Sequence, residues 1–141
     1  MRNILLSLLL LSPLCARAGH AEASLLSSRA AARPGESFQA GLKLKLNDGW
    51  HVYWRNPGDA GLPPSLRWRL PSGWSSSPLE WPAPGRLEIP PVTNFGYTGE
   101  VILPLMLTVS ANARTGTRAT LHARAEWLEC KEICLPGSAE L

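Results

Sequence analysis

Residues 38–46 read Phe-Gln-Ala-Gly-Leu-Lys-Leu-Lys-Leu, and this stretch decides the fold class. Its apolar side chains alternate with glycine or polar residues, so all of them fall on one face of an extended chain. The alternation predicts a half-buried β-strand. The turn signal Asn-Asp-Gly follows at residues 47–49, and such a turn commonly joins two antiparallel strands.

The alternation resumes at residues 50–55, which read Trp-His-Val-Tyr-Trp-Arg. We therefore expect this segment and residues 38–46 to form a hairpin. Two tryptophans share a face with Val52, and we expect Trp50 or Trp54 to pack in the core.

The same period of two appears in three later segments, at residues 66–70, 101–109 and 119–127. Pro104 indicates an edge or bulge position in the second of them, because proline donates no ladder hydrogen bond. With 12 Gly and 13 Pro in 141 residues, the chain has many turn signals and no helical run. These features predict an all-β fold, an immunoglobulin-like antiparallel β-sandwich.

Residues 78–98 fit this scheme less well, because they hold five prolines: Pro78, Pro82, Pro84, Pro90 and Pro91. Proline removes backbone donors from regular ladders. We expect a long ordered loop or a set of edge fragments here, and loops of this length are often functional.

The first 18 residues have the pattern of a secretory signal peptide. Residues 1–3 carry a positive charge, residues 4–11 are apolar except for Ser7, and Ala-Arg-Ala at 16–18 suits a signal peptidase. The apolar run is too short for a membrane anchor. We predict cleavage after Ala18, which leaves an exported domain of residues 19–141.

The composition excludes two other classes of protein. Hydrophobic residues make up 45% and charged residues 18% of the chain, which excludes a disordered protein. The formal net charge of +3 includes Arg2 and Arg17 of the predicted leader, so about +1 remains afterwards. That charge is too small to indicate nucleic-acid binding.

Cys15 leaves with the leader, so the exported domain keeps Cys130 and Cys134 in a compartment where disulfides persist. In a continuous strand their α-carbons would lie about 13 Å apart, whereas a disulfide requires less than about 7 Å. A bridge therefore requires a hairpin with residues 131–133 at its tip.

Such a small ring contributes only about 2 kcal/mol by loop entropy, so a redox-active pair is favoured over a structural staple. Two alternatives remain open. One is an inert local clip, and the other is a Cu(I) site with His20, His51 or His122 as a third ligand. The flanking charges conflict, because Lys131 favours a thiolate while Glu129 and Glu132 oppose it.

Three long motifs, at residues 48–59, 94–101 and 127–137, carry a family resemblance. They read Asp-Gly-Trp-His-Val-Tyr-Trp-Arg-Asn-Pro-Gly-Asp, Asn-Phe-Gly-Tyr-Thr-Gly-Glu-Val and Trp-Leu-Glu-Cys-Lys-Glu-Ile-Cys-Leu-Pro-Gly. In this order they resemble the N-terminal periplasmic domain of the DsbD/ScsB protein-disulfide reductases, and the ScsB-like branch in particular. The resemblance covers nearly all of residues 19–141.

The resemblance implies a periplasmic immunoglobulin-like sandwich. We also expect a monomer, and no organic cofactor, because the dithiol itself carries the two electrons. Its Cys130 and Cys134 would take electrons from a membrane-embedded domain and pass them to thioredoxin-like periplasmic proteins. Cys134 would be the exposed sulfur that forms mixed disulfides, and Cys130 its partner.

Family members also shield the cysteine pair, which implies a cap around Leu87 to Val92 and shielding by four aromatic or imidazole side chains: His51, Tyr53, Phe95 and Tyr97. Core packing is the alternative for each. Full-length relatives continue into transmembrane helices and a thioredoxin-like domain. Residues 139–141 look like the opening of a last strand, and the sequence leaves open whether the chain is a fragment or a stand-alone domain.

Overall fold

A computed structural model describes residues 19–141, and this part of the chain folds into ten β-strands. The signal peptide predicted for residues 1–18 lies outside the described residues. No helix that could cross a membrane occurs between residues 19 and 141. The strands are β1 (Ala21–Ser27), β2 (Ser37–Leu46), β3 (His51–Gly58), β4 (Ser65–Arg69), β5 (Ser75–Ser76), β6 (Gly85–Ile89), β7 (Val92–Thr98), β8 (Glu100–Thr108), β9 (His122–Cys130) and β10 (Cys134–Glu140).

The strands form two antiparallel sheets that pack as a sandwich. The first sheet has the order β1-β2-β8-β5, and the second has the order β10-β9-β3-β7-β6, with β4 paired to β9. The predicted all-β, immunoglobulin-like sandwich is confirmed. The predicted hairpin of β2 and β3 is wrong, because β2 pairs with β1 and β8 in the first sheet whereas β3 pairs with β7 and β9 in the second. The turn after β2 therefore carries the chain from one sheet to the other. Because β9 pairs with β10 on one side and with β3 and β4 on the other, its cysteine-bearing end lies inside the second sheet.

The alternation noted in the sequence accounts for the core between the sheets. Leu42 and Leu44 of β2 and Leu103 of β8 are fully buried in one cluster with Val52 of β3 and Ala125 of β9. Trp50 and Trp54 pack against this cluster on the face of Val52, as predicted, but both remain partly exposed.

The proline-rich segment is more regular than the sequence suggests. β6 is an edge strand, as expected, whereas β7 lies inside the sheet between β3 and β6. Three of the prolines precede β6 and the other two, Pro90 and Pro91, form the turn between the strands. Residues 92–98 are therefore free to pair on both sides, and the expectation of only loop or edge fragments is wrong for β7.

Pro104 occupies the edge position that its chemistry requires. Its carbonyl oxygen accepts a hydrogen bond from the Glu80 backbone nitrogen at 2.7 Å. The N–H and C=O of a strand residue point to the same side, so the missing donor faces the irregular residues 77–84 rather than β2.

The last two strands differ from the sequence prediction in their limits. β9 begins at His122 rather than at Ala119 and continues to Cys130. Ala139 and Glu140 are the last residues of β10, which begins at Cys134 and pairs with β9 along its whole length.

A network on the inner face of the second sheet holds the β9–β10 hairpin. Trp127 lies directly over Gly137, where a Cβ atom would stand 2.3 Å from the indole nitrogen. That indole N–H donates to Glu129 Oε2 at 2.9 Å, and the His20 backbone N–H donates to Glu129 Oε1 at 2.7 Å. The buried carboxylate therefore joins the segment before β1 to the cysteine-bearing end of β9.

The register of β8 predicts that truncation of two neighbouring side chains changes the free energy of unfolding by very different amounts. Leu103→Ala should lower the free energy of unfolding by about 2–5 kcal/mol, because it leaves a cavity in the core. Ile102→Ala should change it by less than about 0.5 kcal/mol, because Ile102 lies on the outer face. Urea unfolding of both variants checks this, and equal losses would contradict the register.

The network around Glu129 predicts that Gly137→Ala destabilises the domain by at least about 2 kcal/mol, because the new methyl group displaces the Trp127 ring and breaks its hydrogen bond. Gly85→Ala is the matched control, since the nearest atom to a Cβ there is 3.7 Å away. Thermal unfolding of the two variants measures the difference, and a wild-type midpoint for Gly137→Ala would refute the network.

Candidate functional site

Cys130 and Cys134 form a disulfide that closes the β9–β10 hairpin. They are directly opposite one another in the strand register, with their α-carbons 4.1 Å apart. Residues 131–133 form the exposed tip. The hairpin predicted from the spacing of the cysteines is thus the structure observed.

The two sulfurs lie in different environments. Cys130 is only 2% exposed and belongs to a small apolar cluster with Tyr53 and Leu87 on the outer face of the second sheet. Cys134 is exposed to solvent. A thiolate from another molecule can therefore approach Cys134, whereas Cys130 is covered.

Tyr53 of β3 is the polar partner of the disulfide. Its hydroxyl donates a hydrogen bond to Cys130 Sγ at 3.2 Å and lies 3.8 Å from Cys134 Sγ. Burial raises the pKa of Tyr53 above its ordinary value of 10.0. The phenol therefore keeps its proton, and remains a donor, throughout the neutral and mildly alkaline range.

The loop after β3 holds the Tyr53 ring in place. Gly61 adopts a φ of +107°, and a Cβ atom there would stand 2.4 Å from Cε1 of Tyr53. Only glycine allows this close approach. The buried Asn94 of β7 fixes the loop, because its Oδ1 accepts a hydrogen bond from the Ala60 backbone N–H at 3.1 Å.

The cap implied for Leu87 to Val92 takes the form of a β-hairpin made by β6 and β7. Leu87 packs against Tyr53 and Cys130, and Ile89 packs against the same cluster. Gly96 allows this arrangement, since a Cβ there would stand 2.1 Å from the Val52 carbonyl oxygen and 3.1 Å from Leu87 Cδ1. The residues that cover Cys130 are thus held on paired strands.

His51 lies opposite Cys130 in the register of β3 and β9 and is only 5% exposed. Its ring meets Tyr53 edge to face, with centroids 5.2 Å apart. Burial lowers the pKa of His51 below its ordinary value of 6.5, so the imidazole is neutral at pH 7. It supplies bulk beside Cys130 and no positive charge that would favour a thiolate.

Tyr97 and Phe95 stand apart from the cysteines. Tyr97 pairs with Val52 and packs in the core between the sheets, and its hydroxyl donates to the Pro82 carbonyl oxygen at 2.8 Å. Burial raises the pKa of Tyr97 to about 12, partly offset by Arg55. Phe95 is half-buried and outside the cluster around Cys130. The shielding implied for these two residues is therefore corrected to core packing for Tyr97, while Phe95 covers neither sulfur in this arrangement.

The charge expected from Glu129 is also corrected. Its carboxylate occupies the inner face of β9, opposite to Cys130, because neighbouring residues of a strand point to opposite faces. Lys131 and Glu132 remain exposed at the hairpin tip with opposite charges. Sequence reasoning missed the roles of Gly61, Asn94 and Glu129. The position of Glu129 did carry a signal, because the alternation of residues 119–127 places the next position of the same period on the core face beside Trp127. The positions of Gly61 and Asn94 carry none.

The histidines proposed as copper ligands do not converge on the pair. His20 stacks on Trp50 with ring centroids 3.7 Å apart, and His122 begins β9 at the end far from Cys130. Only His51 is near. Among residues 19–141, no three His, Cys, Asp or Glu side chains form a group that could hold a metal ion.

A cleft of about 1160 Å³ is lined by Phe38, Trp68, Trp74 and Leu121 among other residues. Neither cysteine lines this cleft.

Comparisons with known proteins agree with this architecture. The N-terminal periplasmic domain of ScsB from Proteus mirabilis has a similar fold, with a TM-score of 0.65 and 24% sequence identity. The match covers 86% of this chain and 45% of that chain, so the chain spans less than half the length of that protein. No curated protein matches the chain.

The family described as "Thiol:disulfide interchange protein DsbD, N-terminal" matches residues 22–141, nearly all of the described chain. The Cys130–Cys134 disulfide lies at the end of a sandwich that has the fold of the ScsB domain. The chain therefore belongs to the family of N-terminal domains of the thiol:disulfide interchange protein DsbD.

Proposed function

We propose that this domain is a periplasmic thiol-disulfide exchange module. Its Cys130/Cys134 pair receives two electrons from a membrane-embedded donor domain and passes them to oxidised thioredoxin-like periplasmic proteins. The observation that carries the proposal is the asymmetry of the disulfide, which has one exposed sulfur and one buried, hydrogen-bonded sulfur. Membership of the DsbD N-terminal family supports it.

Reduction of the domain begins at the exposed sulfur. A donor thiolate attacks Cys134 Sγ, a donor–Cys134 disulfide forms, and the Cys130–Cys134 bond breaks with Cys130 leaving as a thiolate. The Tyr53 hydroxyl already points at Cys130 Sγ, and hydrogen bonds to charged acceptors are the stronger ones. The donor's second thiolate then attacks the donor's first sulfur, so the donor's own disulfide forms and Cys134 leaves as a thiolate. Protonation of both cysteines by water gives the Cys130/Cys134 dithiol.

The electrons leave by the reverse route. The Cys134 thiolate attacks the disulfide of an oxidised protein, and one sulfur of that protein departs as a thiolate. Cys130, once deprotonated, attacks Cys134 Sγ, which restores the Cys130–Cys134 bond and releases the protein with both thiols reduced. Two electrons and two protons are transferred, so the dithiol itself carries the reducing equivalents and no organic cofactor is required.

The cover over Cys130 gives the reduced pair a kinetic advantage in an oxidising compartment. Tyr53, Leu87 and His51 leave only Cys134 accessible, and oxidation by small molecules depends on an accessible thiolate. Of the two charged residues at the hairpin tip, Lys131 favours that thiolate and Glu132 opposes it. The reduced pair therefore reacts best with a protein that docks on it.

Copper binding and an inert clip are the competing functions, and a redox titration with and without Cu(I) separates them. The proposed function gives a reversible two-electron couple that Cu(I) does not block. Copper-dependent protection of both thiols would favour the metal site. A disulfide that resists physiological reductants would favour the clip.

The roles of the two sulfurs predict different trapping by single variants. Cys130→Ala should accumulate a covalent adduct with an oxidised thioredoxin-like protein, because the resolving sulfur is gone. Cys134→Ala should form little adduct, since its remaining thiol is buried. Non-reducing electrophoresis with and without dithiothreitol checks this. The reverse pattern would exchange the two roles, and no adduct with either variant would argue against exchange.

The hydrogen bond to Cys130 predicts that Tyr53→Phe slows reduction of the disulfide by dithiothreitol about tenfold, because the departing thiolate loses its donor. Tyr97→Phe is the matched control, since its hydroxyl bonds to Pro82 on the other face. Stopped-flow tryptophan fluorescence gives both rates. The effect should persist up to about pH 9, where the buried phenol is still protonated. Equal rates for the two variants would show that the Tyr53 hydroxyl does not assist departure.

A further inference from the structure

The most exposed large apolar side chains of residues 19–141 both lie at the disulfide end of the sandwich. Leu62 is 66% exposed and Ile133 is 63% exposed. The next three, Leu26, Ile102 and Met106, are near 40% and belong to the other sheet. Exposed apolar groups beside a reactive sulfur favour contact with another protein.

Leu62 is held close to the pair by its neighbours in the chain. Gly61 lies against the Tyr53 ring, and the Tyr53 hydroxyl lies 3.8 Å from Cys134 Sγ. These two contacts, of Gly61 with the Tyr53 ring and of the Tyr53 hydroxyl with Cys134, place the residue next to Gly61 in the neighbourhood of the exposed sulfur. Pro63 and the buried Pro64 follow, which restricts the backbone and keeps the leucine side chain directed outward without a folded partner.

Ile133 is held by the hairpin itself. It immediately precedes Cys134, and its carbonyl oxygen accepts a hydrogen bond from the Lys131 backbone N–H at 3.0 Å. Both apolar side chains thus stand on restrained backbone, so a partner that covers them loses little additional conformational entropy.

The size of a protein interface supports simultaneous contact with both residues. A standard interface covers about 800 Å² on each partner, which corresponds to a disc of about 16 Å radius. A disc of that size centred on Cys134 includes Ile133 and the Leu62 loop. The exposed charges at the hairpin tip, Lys131 and Glu132, have opposite signs and give no net field to steer a charged partner.

We propose that Leu62 and Ile133 form an apolar docking rim around Cys134. It receives a redox protein whose own reactive cysteine is bordered by apolar surface, and apolar burial rather than charge supplies the affinity. This inference rests on the proposed exchange function, and it names the residues that select the partner.

The test compares a protein disulfide with a small one. The reduced full domain is mixed with an oxidised thioredoxin-like periplasmic protein or with 2-hydroxyethyl disulfide, and both second-order rates are measured. The double variant Leu62→Ser/Ile133→Ser should react with the protein at least about tenfold more slowly, a loss expected when apolar anchors leave an interface. Its rate with the small disulfide should stay within about twofold of the wild type, because the dithiol is unchanged. Ile102→Ser, on the other sheet, is the control and should match the wild type with both disulfides.

Salt dependence gives an independent readout. Raising the ionic strength from about 0.05 to about 0.5 M should alter the protein rate less than about threefold, since charge does not steer the encounter. A larger fall, or a double variant that reacts with the protein at the wild-type rate, would overturn the rim while leaving the exchange function intact. A wild-type domain that reduces the small disulfide but no protein disulfide would overturn both.

Discussion

The hydrogen bond from Tyr53 to Cys130 is the interaction on which the chemistry of this domain depends. It makes two sulfurs of one small ring inequivalent, because one is covered and has a donor while the other faces solvent. Many parts of the fold serve to hold that bond. β3 places Tyr53 and His51 beside the end of β9, Gly61 lies against the phenol ring, and Leu87 closes the outer side. In the proposed exchange reaction, this asymmetry determines which sulfur a partner attacks and which one leaves.

A second network on the opposite face of the same sheet secures the strand that carries Cys130. The buried Glu129 carboxylate accepts hydrogen bonds from Trp127 and from the backbone of His20, and Gly137 makes room for the indole ring. A buried carboxylate without partners would be costly, so these donors are necessary for the strand to take this position. The motif at residues 127–137 is thus two interleaved sets of residues, one facing the core and one facing the reactive surface.

Because the core face and the reactive face of residues 127–137 are separate, the proposed reactivity does not depend on a nearby charge that favours a cysteine thiolate. His51 is neutral because burial lowers its pKa, Glu129 faces away, and the exposed charges at the hairpin tip oppose one another. In the proposed function, discrimination between a partner protein and a small oxidant therefore depends on the surface around Cys134. The apolar side chains proposed as a docking rim would be covered by a docked protein but not by a small oxidant.

The sequence by itself determined the sheet class, the core face of β2 and β8 and the hairpin at the cysteines, because alternation and turn residues act locally. The resemblance carried by the motifs also indicated the family, and it drew attention to His51 and Tyr53, which lie beside Cys130. The tertiary structure decided the rest. Tyr53 of β3 and Tyr97 of β7 lie on neighbouring strands of the second sheet yet on opposite faces, since Val52 pairs with Tyr97 and Tyr53 pairs with Gly96. The separation of β2 and β3 into different sheets, the place of β7 inside the sheet and the approach of Gly61 to Tyr53 follow from pairings between distant segments, and a single sequence does not encode long-range register in any local pattern.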